Sequence, residues 1–137
     1  MCSDIKPVLE KEGALDDFYF LQVKEKYNRL CCYHNGAPRE VEDIISKYEM
    51  MASYICTWCG KPATYETRDY IESFCEACYN KLKRHRKAEK IEFRPEYKVT
   101  RFQNGVDTEM TISFEDEWSR YLKENGYERY FISRQEN

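Results

Sequence analysis

Histidine is scarce in this sequence: His34 and His85 are the two among 137 residues. An acid–base enzyme would therefore have to rely on carboxylates or tyrosines. The carboxylate clusters, Asp16-Asp17, Glu42-Asp43 and Glu115-Asp116-Glu117, suit solvent or helix-start positions. The sequence has no phosphate-cradling glycine loop, no nucleophile elbow and no histidine-rich zinc-hydrolase motif. An enzyme is not expected. No hydrophobic run approaches the roughly 18 residues of a membrane-spanning helix, so no membrane association is expected. The opening Met1-Cys2-Ser3-Asp4-Ile5-Lys6 lacks the apolar stretch of a signal peptide. With four of the seven cysteines in metal spacing, reduced thiols in a cytoplasm are expected in place of a secreted disulfide scaffold. Internal repeats and low-complexity segments are also missing.

What the chain does hold fits a folded protein. Hydrophobic residues make up 42% and charged residues 34%, a balance that separates it from disordered sequences. The length suits one domain with a core and a small metal-stapled lobe. The formal charge of −3 excludes a uniformly basic nucleic-acid binder, though not a local basic patch. Twelve tyrosines supply either the rim of a small core or a binding surface, where each ring adds area at low entropy cost.

The strongest motif is a thiol quartet. Cys56-Thr-Trp-Cys59-Gly60 and Cys75-Glu-Ala-Cys78 are separated by fifteen residues, the spacing of a four-thiolate zinc site. Such a set fills all four positions, leaves none for a bound water and makes the ion structural. One structural Zn2+ held by Cys56, Cys59, Cys75 and Cys78 is expected, and it would add about −2 to the net charge. An iron–sulfur cluster or redox-active pairs are the alternatives.

Local patterns around the quartet predict an α+β protein. Residues 1–17, polar at the start and holding Pro7 and Gly13, read as a loosely attached arm with room for one short helix. Phe18–Lys24 and Arg29–Tyr33 read as strands turned at Tyr27-Asn28. After the His34–Pro38 turn, Val41, Ile44, Ile45, Tyr48, Ala52 and Ile55 recur at helical spacing, with Met51 on the flank of the stripe. Gly60 permits the sharp turn of a metal knuckle, and Ala63–Ile71 suits a short hairpin. A helix is expected from Glu76 to about Lys90, which makes the lobe a treble clef. Beyond Pro95, strands at Tyr97–Phe102 and Val106–Phe114 flank Asn104-Gly105, a strong hairpin signal. Ser113 precedes a helix with Phe114, Trp118, Tyr121 and Leu122 on one face and Gly126 as its stop. A last strand is expected over Tyr127–Ser133. The expected organisation is one compact domain over 1–137: arm 1–17, hairpin plus helix 18–55, zinc finger 56–92 and ββα extension 93–137.

Two further clusters carry chemistry. Lys81, Lys83, Arg84, Arg86, Lys87 and Lys90 concentrate positive charge, either as a solvated helix or as a grip on phosphates that Arg94 and Arg101 extend. Aromatic interleaving within that run is weak. Cys31, Cys32 and His34 offer a second metal site or a nucleophile, but adjacent strand residues face opposite ways, so one cysteine belongs to the core.

From Val23 to Cys78 the sequence resembles a set of small phage- and prophage-borne zinc-binding proteins of mostly unassigned function. Their pattern is a Lys-Glu-Lys-Phe/Tyr-Gly-x-Leu-x-x-Tyr hairpin, a helix, Cys-x-x-Cys-Gly-x-Pro and a second ligand pair. Here the matching residues are Lys24-Glu25-Lys26-Tyr27-Asn28-Arg29-Leu30-Cys31-Cys32-Tyr33, then Cys56 to Pro62, then Cys75 and Cys78. Asn28 stands for a glycine, and Cys31-Cys32 for an Arg-Phe pair whose arginine role does not carry over. The resemblance implies the hairpin–helix–treble-clef order and a mobile-element origin. The expected function is a non-enzymatic, zinc-stabilised protein-binding factor, with a phage-encoded inhibitor of a host defence complex as the version the resemblance implies. The alternative is a nucleic-acid-binding regulator using the basic 81–90 helix.

Overall fold

A computed structural model describes residues 1–127, and the expected strand at Tyr127–Ser133 lies almost wholly outside them. The chain forms two compact units, Met1–Ile91 and Glu92–Asn137. Across the described residues the protein is mixed α+β with small antiparallel sheets. No described helix is long and apolar enough to cross a membrane.

The first unit begins with α1 (Cys2–Lys11), where the sequence suggests a loose arm. Ile5, Val8 and Leu9 fall on one helical face and are buried, which ties the segment into the core. Strands β1 (Phe20–Lys26) and β2 (Arg29–His34) form a hairpin, with Tyr27 and Asn28 at φ 51° and 62°. Two consecutive positive φ angles give the turn whose twist matches a right-handed hairpin. Helix α2 (Arg39–Ala52) follows Pro38 and covers β2, burying Val41 and Ile45 against Cys32 and α1. Met51, on the flank of the sequence pattern, is also buried. The Tyr48 hydroxyl donates to the Asp4 carboxylate, joining α2 to α1.

A lobe over 55–91 completes this unit. Its sheet has the order β4-β3-β5, from β3 (Tyr65–Thr67), β4 (Ser73–Phe74) and β5 (Ala88–Lys90). Helix α3 is only Glu76–Asn80, so the expected helix to Lys90 stops ten residues early. The physical reason is twofold. Beyond Leu82 the run has no apolar stripe, and its like charges at helical spacing repel. Tertiary bonds then favour an extended return: the Tyr79 hydroxyl donates to the Arg86 carbonyl (2.6 Å), and the Arg68 N–H donates to the Lys87 carbonyl (3.0 Å).

In the second unit, β6 (Glu96–Gln103) and β7 (Val106–Ser113) pair in register across Asn104-Gly105. Asn104 and Gly105 take φ 52° and 78°, the same turn type as at 27–28. Helix α4 (Glu115–Glu124) starts where the Ser113 hydroxyl accepts the Glu115 N–H, and it buries Trp118 and Leu122. Phe93 packs on Phe114 and Trp118 at ring separations of 5.9 and 5.2 Å, so an aromatic core closes this unit.

Candidate metal centre

Two local structures bring the four sulfurs together. In the first, the Cys56 N–H donates to the Lys61 carbonyl (2.7 Å) and the Gly60 N–H to the Cys56 carbonyl (3.0 Å). That knuckle needs Gly60 at φ 76°, a backbone angle costly for other residues. In the second, Cys75 is the N-cap of α3 and Cys78 lies inside it, one turn along. Strand β4 delivers Cys75, and the Thr57 N–H donates to the Ser73 carbonyl (2.8 Å), which fixes the two halves against each other.

The ligand atoms of Cys56, Cys59, Cys75 and Cys78 all lie within 4.8 Å of one another. Among the described residues no other cluster of three or more potential ligands forms. Cys56, Cys75 and Cys78 are buried, whereas Cys59 is exposed. Electrostatics favour a cation at this candidate site. Burial pushes the Cys56 thiol up, but N–H groups of Cys75, Cys59 and Trp58 outweigh it and bring it down to about 7. Burial and the neighbouring sulfurs push Cys78 up to about 12. Cys59 is also raised, by desolvation first and then by Cys75 and Cys56. One thiolate thus forms readily and opposes the rest, a conflict that a divalent ion among the four would remove. The donor set fits a thiophilic metal and leaves no position for a reacting water.

The other residues singled out by sequence do not join this site. Cys32 faces the core, donates its N–H to Glu49 Oε1 (2.8 Å), and has its thiol pushed up to about 11, first by burial and then by Glu49. Cys31 is partly exposed, and His34 Nδ1 accepts the Gly36 N–H (3.1 Å). Within the basic run, Arg86 is set apart by its partners. Its guanidinium is largely buried and donates to Glu72 (2.7 Å) and Asp69 (3.3 Å), to Thr67 Oγ1 (3.1 Å) and to the Tyr70 carbonyl. It clamps the 68–72 loop, and its donors are engaged there. Lys81, Lys83, Arg84, Lys87 and Lys90 remain exposed, on a loop and a short strand instead of a helix.

Three residues have contacts or exposure here that sequence reasoning did not assign to the site. Asn28, buried at the hairpin tip, donates from Nδ2 to Ser73 Oγ (2.6 Å) and Glu66 Oε2 (3.2 Å). Trp58 and Tyr70 leave their rings exposed. Asn28 carried a signal as a turn residue, but its long-range partners are not visible in sequence. Compared with known proteins, the chain matches no family model, no curated protein and no solved structure.

Proposed function

We propose that this is a non-enzymatic protein-binding factor whose lobe is a treble-clef finger stapled by one structural Zn2+. The observation that carries the binding reading is the open edge of β1. Cys32 gives its N–H to Glu49, so the Val23–Cys32 pair is not hydrogen-bonded and the Val23 N–H and C=O point away from β2. No other described strand pairs there. Leu21 and Val23 on that strand are 62% and 51% exposed, and Tyr19, Tyr27 and Tyr33 add exposed rings to the same hairpin. An unpaired edge with apolar side chains is a template for an added strand from another protein.

Zinc is supported by geometry as well as by donor type. The Cys59 and Cys75 sulfurs are 3.6 Å apart, close to the ~3.8 Å edge of a tetrahedron with Zn–S bonds of about 2.3 Å. Zinc thiolates persist in a reducing compartment, which favours a cytoplasmic setting. Inhibition of a host defence complex by a phage-borne protein is the specific form suggested by the sequence resemblance. Elemental analysis is expected to find one zinc per chain. Cys75→Ser is expected to lose the metal and cooperative unfolding, whereas a visible iron–sulfur absorption band would replace zinc with a cluster. For the binding reading, the full chain serves as bait in bacterial lysate beside a Leu21→Glu/Val23→Glu variant. A partner captured by the parent and lost by the variant is the expected result. The same proteins on both baits, or none on either, would reject the hairpin as a docking edge.

A further inference from the structure

We propose that the metal lobe carries a second binding face, for single-stranded nucleic acid, made by the cations of 81–90 and the exposed rings of Trp58 and Tyr70. This goes beyond the hairpin reading and stands or falls without it. Between residues 56 and 91 the sequence holds eight Lys or Arg against five Asp or Glu, whereas the whole chain is at −3. Three of those five carboxylates are already engaged: Asp69 and Glu72 by Arg86, and Glu89 by Arg68. Lys81, Lys83, Arg84, Lys87 and Lys90 are exposed, and none of them pairs with a carboxylate among the described residues. The early end of α3 is what creates this arrangement. The cations follow a returning loop beside the sheet instead of spreading around a helix.

The same fold sets rings beside that loop, which the sequence alone does not reveal. Arg86 lies 5.9 Å from the centroid of Tyr70 and 5.9 Å from that of Phe74. Trp58 meets Phe74 edge-on at 5.4 Å. The largely buried Arg86 and the buried Phe74 thus contact two exposed aromatic side chains, Tyr70 at 65% and Trp58 at 55% exposure. Both rings stay largely exposed, and Arg84 and Lys87 lie within two residues of Arg86 along the loop. Exposed rings beside unpaired cations are what a strand with splayed bases requires: phosphates meet the cations, and bases stack on the rings. Duplex readout by α3 is disfavoured, because five residues are too few to fill a major groove. The net negative charge of the chain opposes any polyanion at long range, so binding is confined to this lobe and is highly salt-sensitive.

The test is fluorescence anisotropy of a labelled mixed-sequence single-stranded oligonucleotide with the full, zinc-loaded chain across a salt series. Binding is expected to weaken with salt along a log–log slope of about −2 to −3.5, at about −0.7 per phosphate contact. Lys83→Glu/Arg84→Glu is expected to abolish binding. Tyr70→Ala is expected to cost about tenfold with the slope unchanged, since a ring releases no counterions. Trp58→Phe, which keeps a ring in the knuckle, is expected to retain binding where Trp58→Ala loses it, with zinc content measured for each variant. Leu21→Glu/Val23→Glu is expected to bind the oligonucleotide as the parent does. No binding at low salt would overturn the proposal, as would equal affinity for the duplex or indifference to Tyr70→Ala. Competition by polyglutamate as effective as by unlabelled oligonucleotide would assign the cations to an acidic protein and also overturn it.

Discussion

Asn28 is at once a turn residue with φ 62° and a buried side chain bridging the hairpin tip to Ser73. Asparagine tolerates that backbone angle, and its amide meets the donor-acceptor requirement of the buried site. Asn28→Ala removes both and is expected to cost about 2–3 kcal/mol in urea unfolding. Asn28→Gly restores the backbone freedom alone and is expected to be the milder change. Arg86 is the second such residue. Truncating it to alanine leaves Glu72 partly buried without its cation, a loss of about 1.5–3 kcal/mol, and lysine cannot reproduce the forked contacts. Asp69 reports on the same clamp. Its carboxyl is held below the usual range, first by the Tyr70 N–H and further by its own N–H and by Arg86. Because its folded-state value is lowered, this contribution is present above the ordinary carboxylate range and is lost as pH falls through the folded value. In Arg86→Ala the Asp69 titration, followed by carboxyl NMR, is expected to move up. Sequence could not separate Arg86 from Arg84, because the distinction lies in a loop partner fourteen to seventeen residues away.

Among elements, those specified by local chemistry were legible. The Asn104-Gly105 hairpin, the α2 stripe, the α4 start and the paired thiols of the metal site each follow from neighbours in sequence. Elements fixed by distant partners were not. Strand β5 exists because it pairs with β3, Tyr65 opposite Lys90, and nothing within Ala88–Lys90 announces that. Helix α1 was obscured by Pro7 and polar neighbours, although its buried Ile5, Val8 and Leu9 lie at helical spacing. Since Leu9 is 3% exposed, Leu9→Ala is expected to destabilise the first unit by about 2–5 kcal/mol. A free arm would show a change within about 0.5 kcal/mol, and chemical denaturation decides between the two.

At the scale of the whole molecule, each compact unit carries one of the two tryptophans: Trp58 inside the metal knuckle and Trp118 in the aromatic core of the second. Trp118→Phe and Trp58→Phe therefore give two chains, each with a single tryptophan whose emission can be excited selectively. Chelation is expected to lower the unfolding midpoint seen by Trp58 and to leave that seen by Trp118 in place, because the metal contributes folding energy to the unit that binds it. Coincident shifts would mean the units unfold together. Within the first unit, the Asn28–Ser73 hydrogen bond spans 45 residues and ties the hairpin tip to the strand leading into Cys75. That tie implies a thermodynamic reciprocity. If zinc, by ordering the lobe, raises the affinity of the hairpin for a partner by some factor, the partner must raise the affinity for zinc by the same factor. A captured partner would then slow the escape of the metal to a chelator, making metal retention a readout of occupancy at a distant edge.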